Sequence, residues 1–223
     1  MPLIATRGAA SAQGFGEFAQ SAAVNYIEDV FSTYLYTGNS STQTITNGIN
    51  LSGKGGMVWI KDRTSALNNN VFDTARGATN YLYTNLTDAQ ATNANTLTAF
   101  NTNGFSLGST GQVNSNTDSF ASWTFRKQAK FFDVVTYTGT GADQQISHNL
   151  GSVPGCIIVK ATNTAGQSWF VYHRSLTANY GILLNSTAAE AAVAGGNGIT
   201  YGVTSTYFTV QGGNRVEIGR AHV

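Results

Sequence analysis

Chemistry-bearing side chains are sparse in this chain: 223 residues carry 11 Asp and Glu, 12 Lys and Arg, three His and one Cys. Two short stretches bring such residues close together. In "VFDTARGA", Asp73 and Arg76 stand three apart, a spacing at which a carboxylate and a guanidinium can meet. The pair either ties a loop together or offers polar contacts to a sugar or an anionic polymer. In "SWFVYHR", Trp169, Tyr172, His173 and Arg174 combine stacking surface with hydrogen-bond donors, as glycan sites do. Arg174 reads as the counterpart of Arg76. Strand alternation puts Trp169, Val171 and His173 on one face and Phe170, Tyr172 and Arg174 on the other. These six site candidates therefore compete with plain core packing and loop fixing.

Catalytic patterns are missing. A glycosidase needs two carboxylates about 5–10 Å apart across a sugar, and nothing in the spacing of Asp73, Asp118 and Asp133 brings them together. His148, His173 and His222 lack metal-ligand spacing. There is no G-x-S-x-G, and "GKGG" around Lys54 lacks the phosphate-loop spacing and reads as a turn. The lone Cys156 excludes an internal disulfide, and its apolar run "GCIIVK" predicts a buried, inert thiol. No catalytic residue, metal or cofactor is assigned, and the chain is not expected to be an enzyme.

Composition narrows the partners. Only 10% of residues are charged, against roughly 25% in an average domain. The net charge of +1 offers no basic stripe for nucleic acid. No apolar run approaches the ~18 residues of a membrane span, so membrane insertion is not expected. The first residues lack the basic start and apolar stretch of a signal peptide. Residues 1–28, rich in Ala, Gly, Ser and Gln, read as a flexible or partner-docked leader.

An internal repeat organises the rest. "VFSTYLYTGNSSTQTITNGI" from Val30 aligns with "FFDVVTYTGTGADQQISHNL" from Phe131, so that Tyr36, Gln43 and Ile45 meet Tyr137, Gln144 and Ile146. Downstream, Val58, Ile60 and Lys61 meet Ile157, Val159 and Lys160, Asn85-x-Thr87 meets Asn185-x-Thr187, and Phe105 meets Phe208. Each copy reads as short strands. Val58 and Ile60 share one face of "MVWIK"; "FASWTFRK" sets Ala121, Trp123 and Phe125 against Ser122, Thr124 and Arg126. Gly38 and Gly139 are placed as positive-φ turn residues. "TDAQATNANTLTAF" and "TAAEAAVAGG" are ambiguous between short helix and loop. The crossover helices of an α/β fold are lacking. The fold class is all-β: two tandem antiparallel β-sandwich or jelly-roll-like units of about 100 residues, 29–129 and 130–216.

In order, "YTGN…QTITNGI", "GGMVWIK…VFDTARGA", "TAFNTNGFSLGS", "ASWTFRK" and the second "HNLGSVPGCIIVK…WFVYHRSL" resemble a tandem-repeat family of structural and tail-fibre-type proteins of marine tailed bacteriophages. The resemblance covers Tyr34 to about Val210. It implies a virion protein on a tail or fibre, partnered by other tail proteins and by host-surface glycans bound weakly and multivalently. A trimer would suit a fibre, although no heptad segment supports one. A purely structural spacer is the alternative reading, and a polysaccharide depolymerase a third. In that setting the Asn-x-Ser/Thr triplets at Asn39, Asn85 and Asn185 reflect Asn and Thr richness rather than glycosylation.

The closing strand expected after "YFTVQGGNR" does not appear. "VEIGRAHV" follows instead, with no aromatic counterpart to Trp123 or Phe125. Residues 217–223 match one reading frame of a widely used short-read sequencing adapter. They are read as adapter read-through, and the second unit as incomplete. Arg220 and His222 receive no function on this reading.

Overall fold

The structure, a computed structural model, describes residues 26–193, 198–199, 201–212 and 220–222. The first unit opens with a single-turn helix α1 (Ile27–Val30), so two residues given to the leader are helical. It continues through β1 (Phe31–Thr37), β2 (Gln43–Thr46), β3 (Gly56–Asp62), β4 (Asn70–Asp73), β5 (Asn80–Tyr83) and β6 (Ala91–Thr92). After these come β7 (Leu97–Asn101), β8 (Gly104–Leu107), a second single turn α2 (Gly111–Asn114) and β9 (Ser119–Arg126). The second unit holds β10 (Thr136–Thr138), β11 (Gln144–Ser147), β12 (Cys156–Ala161), β13 (Phe170–His173) and β14 (Tyr180–Leu183). It ends with β15 (Ala191–Ala192), β16 (Tyr207–Val210) and β17 (Arg220–His222). Among the described residues neither stretch left between helix and loop is helical: β6 and β7 occupy the first, and β15 lies in the second.

Each unit is an antiparallel sandwich. A large sheet of order β1-β9-β3-β4-β5-β6 faces the small sheet β2-β8-β7; β10-β17-β12-β13-β14-β15 faces β11-β16. Residues aligned by sequence take matching places. Tyr36, Ile45, Val58, Ile60 and Phe105 lie in the first core, and Tyr137, Ile146, Ile157, Val159 and Phe208 in the second. β3 buries alternate residues, and the face that Val58 and Ile60 share is the inward one.

The pattern of β9 is reversed from what its aromatics suggest. Ser122 and Thr124 are fully buried on the core side, while Trp123 and Phe125 remain partly exposed on the outer face. The hydroxyls are satisfied there: Asn47 Nδ2 donates to Thr124 Oγ1 (2.8 Å) and Ser122 Oγ to the Tyr34 carbonyl (3.3 Å). Gly38 also serves differently. It has no positive φ, but a Cβ there would stand 2.0 Å from the Ser115 carbonyl oxygen. Asp62 is buried and accepts the Thr64 and Ser65 amides.

The place of the closing strand in the second unit is not empty. β17 pairs with β10 at Thr136–Thr138 and with β12 at Lys160 and Ala161. It is three residues long, where β9 has eight. The expectation that no strand stands there is corrected: a strand pairs there at Arg220–His222.

Candidate functional site

The two large sheets meet back to back. On the outer face of the first, Trp59 lies beside Trp123 on one side and Val71 on the other, with Leu82 beyond. Against this row pack Trp169 and Ile158 of the second unit, so that Val71, Leu82 and Trp169 form a third buried cluster. That is why β4 is buried on both faces. Trp169 is 3% exposed, and its Nε1 donates to the Tyr83 carbonyl at 2.8 Å. Loops lock the contact: Gln90 N donates to Thr162 O (2.7 Å) and Gly166 N to Thr87 O (2.9 Å).

Two concavities open on this junction. One is a polar cleft of about 540 Å³ walled by Trp59 and lined by Asn69, Thr84, Asn85, Asn185, Ser186 and Thr187. The two Asn-x-Thr loops face each other across it. Asn85 Oδ1 accepts the Asn69 amide and Asn185 Oδ1 the Trp169 amide, both at 2.9 Å. Carboxamide N–H groups remain for a ligand: Asn185 Nδ2 makes one long contact, 3.4 Å to Ser168 Oγ, and such a group carries two donors. No charged side chain lines this cleft. Its chemistry suits a neutral hydroxylated ligand with one apolar face. The second concavity is an apolar cavity of about 340 Å³ between Trp59, Phe125, Phe132, Ile158 and Trp169, reaching Phe208 in the second core.

The family model of a domain of unknown function, DUF7483, matches residues 27–223. The chain belongs to that family. The DUF7483 match spans both sandwiches and therefore the whole junction. No curated protein and no solved structure matches the chain.

Within this DUF7483 chain the predicted site residues scatter. Asp73 and Arg76 do meet, Oδ2 to Nε at 2.5 Å, but their side chains are 0% and 3% exposed. Arg76 also donates to the Val71 carbonyl (3.0 Å). The pair fixes a turn and cannot reach a ligand. Trp169 is buried in the junction, which removes it from any exposed platform. His173 and Arg174 are exposed and Tyr172 is half-buried against the second core. By strand register the counterpart of Asp73 is His173, opposite Cys156 as Asp73 is opposite Met57; Arg174 thus falls at the place of Thr74, not Arg76. Asp118 and Asp133 sit among unrelated partners, Ser65 and Lys127 respectively. Among the described residues no His, Cys, Asp and Glu cluster is built to hold a metal. Cys156 is exposed on β12 rather than buried, and its apolar surroundings push the thiol pKa up.

Sequence reasoning missed Lys160. It aligns with Lys61, whose Nζ caps the Leu67 carbonyl at the surface. Lys160 instead lies fully buried, donating to Ala161 O (2.8 Å) and Thr87 O (3.4 Å) of the opposing loop. Burial lowers its pKa to about 8, against a smaller opposing pull from Asp88. The unfolded amine binds its proton up to pH 10.5, so between pH 8 and 10.5 the unfolded state holds more protons. Stability is therefore expected to rise across that window by up to about 3 kcal/mol. Above pH 10 the Tyr83 phenol, pushed up to about 12 by burial, acts in the opposite sense. Urea titrations of wild type and Lys160→Met at pH 7.5 and 9.5 check this; an unchanged pH slope in the variant would refute it.

Proposed function

We propose that the protein is a virion-associated module of tail or fibre type that contacts host-surface glycans weakly through the junction cleft. The observation that carries this reading is the uncharged lining of the cleft, with Trp59 as a stacking wall and amides and hydroxyls from both units around it. Low overall charge fits it. Single contacts of this kind are weak, and multivalent display on a trimer or a fibre raises their avidity. Titration of multimerised protein with neutral polysaccharides tests the reading. Binding lost at least tenfold in both Trp59→Ala and Ser186→Trp, with folding intact, supports it; no binding by the multimer overturns it.

One observation favours a purely structural spacer instead. The Asn85 and Asn185 carbonyls are already committed to backbone amides, which loop fixing explains without a ligand. A multimer that binds no glycan leaves this second reading standing. Both readings are non-enzymatic, and neither predicts release of reducing ends from polysaccharide.

A further inference from the structure

We propose that the junction cleft selects acetamido sugars, with Thr84 and Leu184 receiving the acetamido group; this rests on the glycan reading and deepens it. The two residues hold equivalent places in the two units. Thr84 follows β5, and its amide donates to the Asn69 carbonyl (3.0 Å). Leu184 follows β14, and its amide donates to the Trp169 carbonyl (3.1 Å). Both side chains line the cleft.

A junction built for packing alone is served by an apolar residue at each place, and the first unit has a hydroxyl instead. Thr84 is 4% exposed, and its Oγ1 is buried without a hydrogen-bond partner. Leu82, two residues back, lies in the buried cluster with Val71 and Trp169. Valine has nearly the same shape as threonine and leaves no polar atom unpaired there. Rotation about χ1 exchanges Oγ1 with the methyl branch and turns the hydroxyl toward the cleft. Leu184 shows the converse mismatch. It is an apolar side chain left 36% exposed on the wall of a polar cleft.

An acetamido group answers both mismatches. Its N–H donates to Thr84 Oγ1, its methyl lies against Leu184, and its carbonyl accepts the spare N–H of Asn185 Nδ2. The sugar ring stacks on Trp59, and its hydroxyls meet the remaining amides and hydroxyls of the lining. With no charged side chain in that lining, the neutral acetylated sugar fits and a free cationic amino sugar has no counter-ion.

The test compares chito-oligosaccharides with cello-oligosaccharides of equal length. The two series share a backbone and differ in carrying acetamido or hydroxyl groups beside the anomeric carbon. The multimerised protein is expected to bind the chito series at least tenfold more tightly. Thr84→Val should bring the chito series down to the affinity of the cello series, and Leu184→Ser should weaken it in the same direction. Without sugar, Thr84→Val should melt no lower than wild type, because no internal hydrogen bond is lost. A lower Tm would show that the hydroxyl serves the fold, and would overturn the proposal. Equal binding of the two series overturns it and leaves the glycan reading standing. So does binding of some other neutral polysaccharide but of neither series; binding of no polysaccharide overturns both.

Discussion

Replacing Trp169 with Ala is expected to cost about 3–5 kcal/mol and to split unfolding into two transitions. The indole is the piece of the second unit set deepest between the sheets, with Val71 and Leu82 around it and Met57, Trp59 and Ile158 at its margin. Truncation leaves a cavity that the neighbouring strands are too regular to fill. It also removes the donor to the Tyr83 carbonyl. Without the indole, the junction keeps Ile158 and the ring contacts of Phe125 with Phe131 and Phe132, and loop hydrogen bonds each contributing only about 1 kcal/mol net. Trp169→Phe separates the two effects: it keeps most of the apolar contact and loses the N–H, for a cost of about 1–3 kcal/mol. Calorimetry of the three proteins reads both the stability and the coupling. A single transition in Trp169→Ala, at a loss under 1 kcal/mol, would refute the assignment.

Asp73→Ala is the second large effect, about 3–5 kcal/mol, because it strands a buried cation. Burial lowers the Arg76 pKa, and the adjacent Asp73 carboxylate opposes that shift. Asp73 also accepts the Arg76 backbone amide (2.9 Å), so one side chain neutralises the guanidinium and closes the turn after β4. The double variant Asp73→Ala/Arg76→Met removes both charges. It is expected to recover at least half of the loss. Chemical denaturation of both variants checks this; a double variant as unstable as Asp73→Ala would show that the turn hydrogen bond, not the stranded charge, sets the cost.

Much of the β architecture was legible in residue alternation. Val58 and Ile60 were set on one face of β3 and aligned with Ile157 and Val159 of β12, and all four lie in the two cores. What alternation cannot tell is which face is inside. In β9 the aromatics Trp123 and Phe125 take the outer face because the outer side of the first sheet is itself half covered by a second sheet. Trp123 and Phe125 serve that contact while Ser122 and Thr124, with hydrogen-bond partners at hand, line the core. Cys156 sits in an apolar run yet stays exposed at the start of β12. The cleft was less legible still: Trp59, Asn69, Asn85 and Asn185 come from both halves of the chain and meet only through the junction. The one signal was the Asn-x-Thr triplet recurring at equivalent places, read as compositional chance.

The central position of β9 has a consequence for how the chain comes off the ribosome. β1 and β3 flank β9 in the sheet but precede it in the chain, so neither can complete its ladder until the last strand of the unit emerges. At about 5–20 residues per second, the roughly 80 residues between β1 and β9 take some 4–16 s to be made. Once β3 has emerged, the nascent first half holds two open strand edges until β9 follows, and its protection from aggregation falls to chaperones or to speed.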